Sequence, residues 1–377
     1  MKAIINGKIV LKDGVVENKA LLFDEKIIGL ADDASGAEEI IDAQGLYVSP
    51  GFVDVHIHGY LGEDASDGSA DGLRKMAEGV LQNGVTSFLP TTMTVAWDEI
   101  EAAFNVICEL MPKSKQASWQ GAEILGCHAE GPFINPKKKG AQAAEAILPP
   151  DAEKMLAHKD VVRMVTVAPE MPLGMVFVEK VRKDSDIVVS IGHTDATFEE
   201  AMQAVALGAN HMTHTFNAMS ALSHRAPGVV GAALSSDAYC ELIADTFHIH
   251  SGLFPLFAKA KGDRLVLITD CTRAGGLQDG EYTLGGQAIY VKGIECRLAD
   301  GTIAGSVLKM NDAVRNYRDH AGVSFHEAIN CASLYAAKSI GVDACKGSLE
   351  SGKDADIVLL DGDCGVHGVF VGGVRKA

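Results

Sequence analysis

At 377 residues the chain is too long for one compact core and matches a barrel of ~250 residues with a smaller companion. Its 47% hydrophobic and 22% charged residues suit a globular chain, and no apolar run approaches the ~18 residues of a membrane span. A formal net charge of −17 argues against nucleic acid or an anionic membrane as a partner, and obliges any phosphorylated ligand to find a local positive site.

The opening residues, Met1 to Gly7, carry no apolar signal core and no small-residue cleavage site, which predicts a cytoplasmic protein. Residues 1–49 hold short β-like pieces (3–5, 20–23 and 26–30) broken by Asn-Gly and Asp-Gly turns. From residue 50 onward, β-rich runs alternate with amphipathic stretches, the pattern of parallel βα units. The runs fall at 51–58, 86–92, 123–130, 163–169, 187–193, 210–214, 240–245 and 264–270, eight in all. Helices are expected at 70–82, 97–111, 198–207 and 253–261, and Thr197/Glu200 and Ser324/Glu327 have capping-box spacing. Alternating pieces at 281–305 predict β hairpins inserted after the eighth run, and 309–341 predicts helices that close the barrel. Residues 346–377 return to β character at 357–360 and 369–371. The expected fold is α/β: a (β/α)8 TIM-like barrel over 50–341, with a small β-sandwich formed by both termini, 1–49 and 342–377. The eight cysteines form no Cys-x-x-Cys pair, which argues against a zinc ribbon or a secreted disulfide framework.

Strand alternation puts Asp54, His56 and His58 on one face of the first run, with Val53, Val55 and Ile57 on the other. In a barrel the apolar face meets the helices, so the two imidazoles point inward. Later runs end at Glu130, His193, His214 and Asp270. Barrel sites lie at the C-terminal ends of the strands, so these side chains converge on one mouth. Imidazoles and carboxylates suit zinc or ferrous iron and leave positions open for water. His128, two residues before Glu130, is expected to support the ligands; His211, three before His214, is expected to face elsewhere. His158, His320, His326 and His367 read as surface or core residues, and Lys137-Lys138-Lys139 as a solvated turn.

Several segments carry a family resemblance. They include Pro50-Gly51-Phe52-Val53-Asp54-Val55-His56-Ile57-His58-Gly59, His128-Ala129-Glu130-Gly131-Pro132-Phe133, Gly192-His193-Thr194 and Thr213-His214-Thr215-Phe216-Asn217-Ala218-Met219. Further ones are Arg225-Ala226-Pro227-Gly228, Ile243-Ala244-Asp245-Thr246-Phe247-His248, Thr269-Asp270 and Ala304-Gly305-Ser306. Over essentially its whole length the chain resembles the amidohydrolase superfamily and, within it, the N-acetylglucosamine-6-phosphate deacetylases. Dihydroorotases and hydantoinases carry a metal-bridging lysine at the end of strand four; here that segment reads Ala168-Pro169-Glu170.

The resemblance implies metal-dependent hydrolysis of the acetamide of N-acetyl-D-glucosamine 6-phosphate. It implies one divalent ion on Glu130, His193 and His214, and a second on His56 and His58 with Glu130 and Asp270, hence one or two ions per chain, zinc or iron. Asp270 would act as base and then acid. Gln142 stands where some members carry a histidine that polarises the acetyl carbonyl. The phosphate would meet Asn217, Ala218, His248 and the fork of Arg225. By resemblance a histidine at position 248 reaches the neighbouring subunit's substrate, which makes the expected working unit a homodimer. Two alternatives stay open: the epimeric N-acetylgalactosamine 6-phosphate as substrate, or a barrel that has lost catalysis and serves in assembly. The second expects missing ligands, and none is missing.

Overall fold

The computed structural model describes residues 1–377. Eight short apolar runs form parallel strands: Phe52–Ile57, Val85–Thr92, Cys127–Glu130, Val162–Val167, Val188–Ile191, His211–Met212, Tyr239–Ile243 and Leu265–Ile268. Each pairs in parallel with the next, because crossovers of helical length return the chain in the same direction. The ring closes just past the eighth strand. Asp270 N–H donates to the His56 carbonyl at 2.8 Å, and His58 N–H donates to the Cys271 carbonyl at 2.9 Å. The result is a near-closed eight-stranded barrel with helices outside, as expected.

Helix starts follow their capping signals. Thr197 opens Phe198–Ala206 and Ser324 opens Phe325–Ala332, each with both halves of the capping box formed. Trp97–Ser114 runs past residue 111 and carries Pro112 in its last turn. Met310–Ala321, Phe325–Ala332 and Leu334–Ser339 occupy the stretch expected to close the barrel. No helix is long and apolar enough to cross a membrane.

The strand ends differ from expectation in a way that matters for function. The fifth, sixth and eighth strands stop at Ile191, Met212 and Ile268, before the site residues are reached. His193, His214 and Asp270 follow in left-handed turns, with φ of 47°, 28° and 49°. The third run is also split, into Glu123–Ile124 and Cys127–Glu130, at Gly126 with φ of 142°. A Cβ there would lie 2.9 Å from the Arg163 side chain and 3.0 Å from the Val161 carbonyl, so only glycine fits the break.

Both termini build sheet structure beside the barrel. A six-stranded sheet runs Val374–Arg375, Val366–Val371, Ile357–Leu360, Tyr47–Pro50, Lys8–Leu11, Gly14–Val16, and the C-terminal Ile357–Leu360 pairs antiparallel with Tyr47–Pro50. A four-stranded sheet of Ile27–Ala31, Ala20–Phe23, Lys2–Ile5 and Glu39–Asp42 accompanies it, and Ile4, Phe23, Val48, Ile357 and Phe370 share one apolar core. Lys346 staples this region to the barrel. Its buried ammonium lies 2.5 Å from Glu123, 2.9 Å from Asp354 and 2.8 Å from Asp356, enough partners to offset its desolvation.

Gly280–Leu284, Gln287–Lys292 and Glu295–Leu298 form the inserted antiparallel sheet. Leu284, Ile289 and Cys296 bury its apolar face against Met93, Ala141 and Ala304, which seats it over the barrel mouth.

Candidate metal centre and active site

Glu130, on the last residue of the third strand, stands at the centre of the mouth. Its Oε1 lies 2.9 Å from His214 Nε2 and 3.2 Å from His193 Nε2, and those two nitrogens are 3.1 Å apart. On the other side, His58 Nε2 lies 3.3 Å from Glu130 Oε2, and His56 Nε2 3.5 Å from Glu130 Oε1. Asp270 Oδ1 is 3.2 Å from His58 Nε2 and 3.5 Å from His56 Nε2. Two three-donor groups, Glu130/His193/His214 and His56/His58/Glu130, thus share one carboxylate. The left-handed backbone of His193, His214 and Asp270 turns their side chains toward it, a local strain typical of functional sites.

The donor set fits a divalent cation. His193 Nδ1 donates to the Lys138 carbonyl at 2.8 Å, and His58 Nδ1 to the Thr91 carbonyl at 3.1 Å. A carbonyl oxygen only accepts, so each Nδ1 carries the proton and a neutral ring keeps its Nε2 lone pair. His56 Nδ1 donates to Glu241 Oε2 at 2.9 Å, and its buried Nε2 has no hydrogen-bond partner. Lone pairs of His193 and His214 meeting at 3.1 Å repel unless a proton or cation lies between them.

The charges are arranged accordingly. Burial pushes the Glu130 carboxyl up, but the imidazoles of His193, His56 and His214 outweigh it and hold it well below the carboxylate range. Asp270 behaves the same way: burial opposes ionisation, and His56 and His58 bring it down to about 2. Burial lowers His128 to about 3, with His56 adding to the effect. Its Nε2 bonds Thr166 Oγ1 at 2.8 Å, and its ring packs 4.6 Å from that of His56.

Two residues correct the sequence reading. His211 does not face elsewhere: it is buried inside the barrel, with Nδ1 3.6 Å from Glu241 Oε1. Alternation from His211 to His214 fails because the paired strand lasts only two residues. Glu241 went unnoticed, yet it joins both donor groups, accepting from His56 Nδ1 and, at 2.8 Å, from the His214 backbone N–H. The signal was present as an acid inside the otherwise apolar strand Tyr239–Ile243. At the end of strand four, Glu170 accepts from Asn135, Thr194 and Asp195, which makes it a loop anchor.

A cavity of ≈ 380 Å³ opens above the donors. Asn217, Ala218 and His248 line one part of it, and Leu284, Thr302 and Ile303 close it from the hairpin side. Gln142 also lines it, but its Nε2 donates to Glu130 Oε2 at 2.5 Å and its Oε1 accepts from Thr94 N–H at 2.7 Å. The lysine run is not uniformly solvated. Lys137 is 79% exposed, whereas Lys138 is 28% exposed and donates to the Met219 carbonyl at 3.1 Å.

Asp245 accepts from the backbone N–H groups of Phe247 and His248 and, at 2.6 Å, from His248 Nδ1. That turn holds the ring in the cavity of its own chain. Arg225 is exposed on the loop after the sixth strand and does not line this cavity.

A shared carboxylate is thus flanked by four imidazoles and an aspartate, and comparison of the sequence assigns the family. The Amidohydrolase family model matches residues 47–376. The chain belongs to the amidohydrolase family. Within it, the N-acetylglucosamine-6-phosphate deacetylase of Bacillus subtilis (strain 168) is 40% identical over 97% of this chain and 93% of its own. An N-acetylgalactosamine-6-phosphate deacetylase of Escherichia coli O157:H7 is 34% identical over 97% of each. The crystal structure of the N-acetylglucosamine-6-phosphate deacetylase of Pasteurella multocida superposes with a TM-score of 0.94 at 34% identity, over 100% of this chain and 99% of that one. The match to these amidohydrolases spans the terminal sheets as well as the barrel.

Proposed function

We propose that this amidohydrolase hydrolyses the acetamide of N-acetyl-D-glucosamine 6-phosphate, giving D-glucosamine 6-phosphate and acetate. The observation that carries the reading is Glu130 shared between two donor groups, with Asp270 beside them at the floor of a cavity. The names of the full-length relatives supply the substrate. Glu130, His193 and His214 hold one divalent ion, and His56 and His58 with Glu130 offer a second position; zinc or ferrous iron suits these donors. Such an ion, when bound, lowers the pKa of a water and polarises the acetyl carbonyl. Asp270 takes the water's proton and returns it to the amine nitrogen as acetate leaves. Glu241 holds the His56 ring so that Nε2 faces the site.

Asn217, Ala218 and His248 receive the phosphate from within the chain, and Lys138, tied to the neighbouring Met219 carbonyl, adds positive charge at the mouth. Arg225 lies outside its own cavity, so its fork reaches a phosphate only if a second copy presents it. We therefore keep the homodimer as the working unit, with Arg225 in place of His248 as the crossing residue. Residues 1–49 with 342–377 form the small unit of this scheme, and 50–341 the catalytic one. Eight unpaired cysteines suit a reducing compartment, and we place the protein in the cytoplasm.

A second reading, the N-acetylgalactosamine epimer, is favoured by the E. coli relative. Acetate release from the two epimeric phosphates separates them: the glucosamine compound should give the larger kcat/KM, and the reverse order selects the second reading. Unphosphorylated N-acetylglucosamine should be a poor substrate, and Arg225→Ala should raise KM with kcat less affected. Mixing Arg225→Ala chains with inactive Asp270→Asn chains should bring back turnover with the wild-type KM, because one site of the mixed dimer keeps both residues. A fully active monomer, or equal turnover with and without phosphate, contradicts the dimer and phosphate assignments.

A further inference from the structure

We infer that Gln142 is a positioning residue for the Glu130 carboxylate and does not act on the substrate's acetyl carbonyl. The inference rests on the proposal that Glu130 holds the ion. Gln142 is 3% exposed, and both ends of its amide are committed. The nitrogen donates to Glu130 Oε2, a group that only accepts, and the oxygen accepts from the Thr94 N–H, a group that only donates. The amide therefore cannot flip without losing both bonds. It engages the Oε2 of Glu130 and leaves Oε1 facing His193 and His214. The loop itself is held in place. Gln142 N–H donates to the Lys139 carbonyl at 2.9 Å, and Gln287 Nε2, from the inserted sheet, donates to the Ala141 carbonyl at 2.6 Å.

A neutral donor suits this position. A cation there would cancel the charge that Glu130 needs for the ion, and a second carboxylate would repel it. A partner that orients a ligating carboxylate affects metal affinity, typically by ~10–100-fold when it is removed. A group acting on the carbonyl would instead change kcat at full metal loading.

The test uses the full chain and two variants, Gln142→Met and Gln142→Leu, each of comparable volume and without an N–H. Each is stripped of metal and titrated with zinc against a chromophoric chelator, and acetate release is measured along the titration. The expected result is a zinc affinity lower by ~10–100-fold in both variants. The metal-free variants should keep the fold, with a melting temperature lowered by no more than the two lost buried hydrogen bonds account for, and excess zinc should recover most of the lost turnover. Wild-type zinc affinity combined with a fall in kcat that zinc does not recover overturns the inference and puts Gln142 on the carbonyl. Failure of the wild-type chain to bind zinc or ferrous iron overturns the metal-site proposal itself, and this inference with it.

Discussion

Asp270→Asn lowers kcat by at least ~10²-fold, the low end for a general acid–base group, while the chain keeps its fold and its metal content. The asparagine keeps the shape of the side chain and one ligating oxygen but cannot take a proton. His56 and His58 favour the ionised form of the Asp270 carboxyl against the pull of burial. That charge is what the substitution removes. Acetate release at matched metal loading measures the effect, and the loss should persist across the pH range. Near-normal turnover in the variant would show that another residue handles the proton.

His193→Ala and His214→Ala each strip the primary ion and the activity together. Both nitrogens lie within 3.2 Å of the same Glu130 oxygen, so removing either leaves two donors where the site needs three. Metal affinity should fall by more than ~100-fold, beyond the range for residues that merely support a ligand. Elemental analysis of the purified variants, alongside kcat/KM, reads both quantities. Both variants keeping their ion and full turnover would refute the ligand assignment. Replacing His56 and His58 together then asks a separate question. Surviving activity with the primary ion in place would make that pair dispensable, whereas complete loss would support two ions in the reaction.

The barrel was legible because its strands bury both faces and alternate with helices whose caps are written in Thr197/Glu200 and Ser324/Glu327. His56 was legible for the same reason, lying within the first strand, and His58 follows one residue past its end. His193, His214 and Asp270 were placed at the right ends on an incomplete argument. Each lies beyond its strand and is aimed by a left-handed turn, and no local residue pattern announced those turns. Glu241 could have been found, since a lone acid in a buried apolar strand demands a partner. Gln142 could not: its partners Glu130 and Thr94 come from other segments, and only the folded chain shows that both ends of its amide are used. That His248 lines the cavity of its own chain while Arg225 does not has a similar cause. Which loop side chain enters its own cavity depends on how the loop folds back, although Asp245, three residues before His248, was a local hint of that turn.

The most direct measurement follows acetate release from N-acetylglucosamine 6-phosphate by metal-stripped protein as a divalent ion is restored. Activity should be near zero in the stripped protein and rise in step with bound ion, reaching its plateau at about one to two ions per chain, as the two donor groups allow. Turnover that is unaffected by stripping, or ion binding at these residues with no acetate released, would contradict a metal-dependent deacetylase.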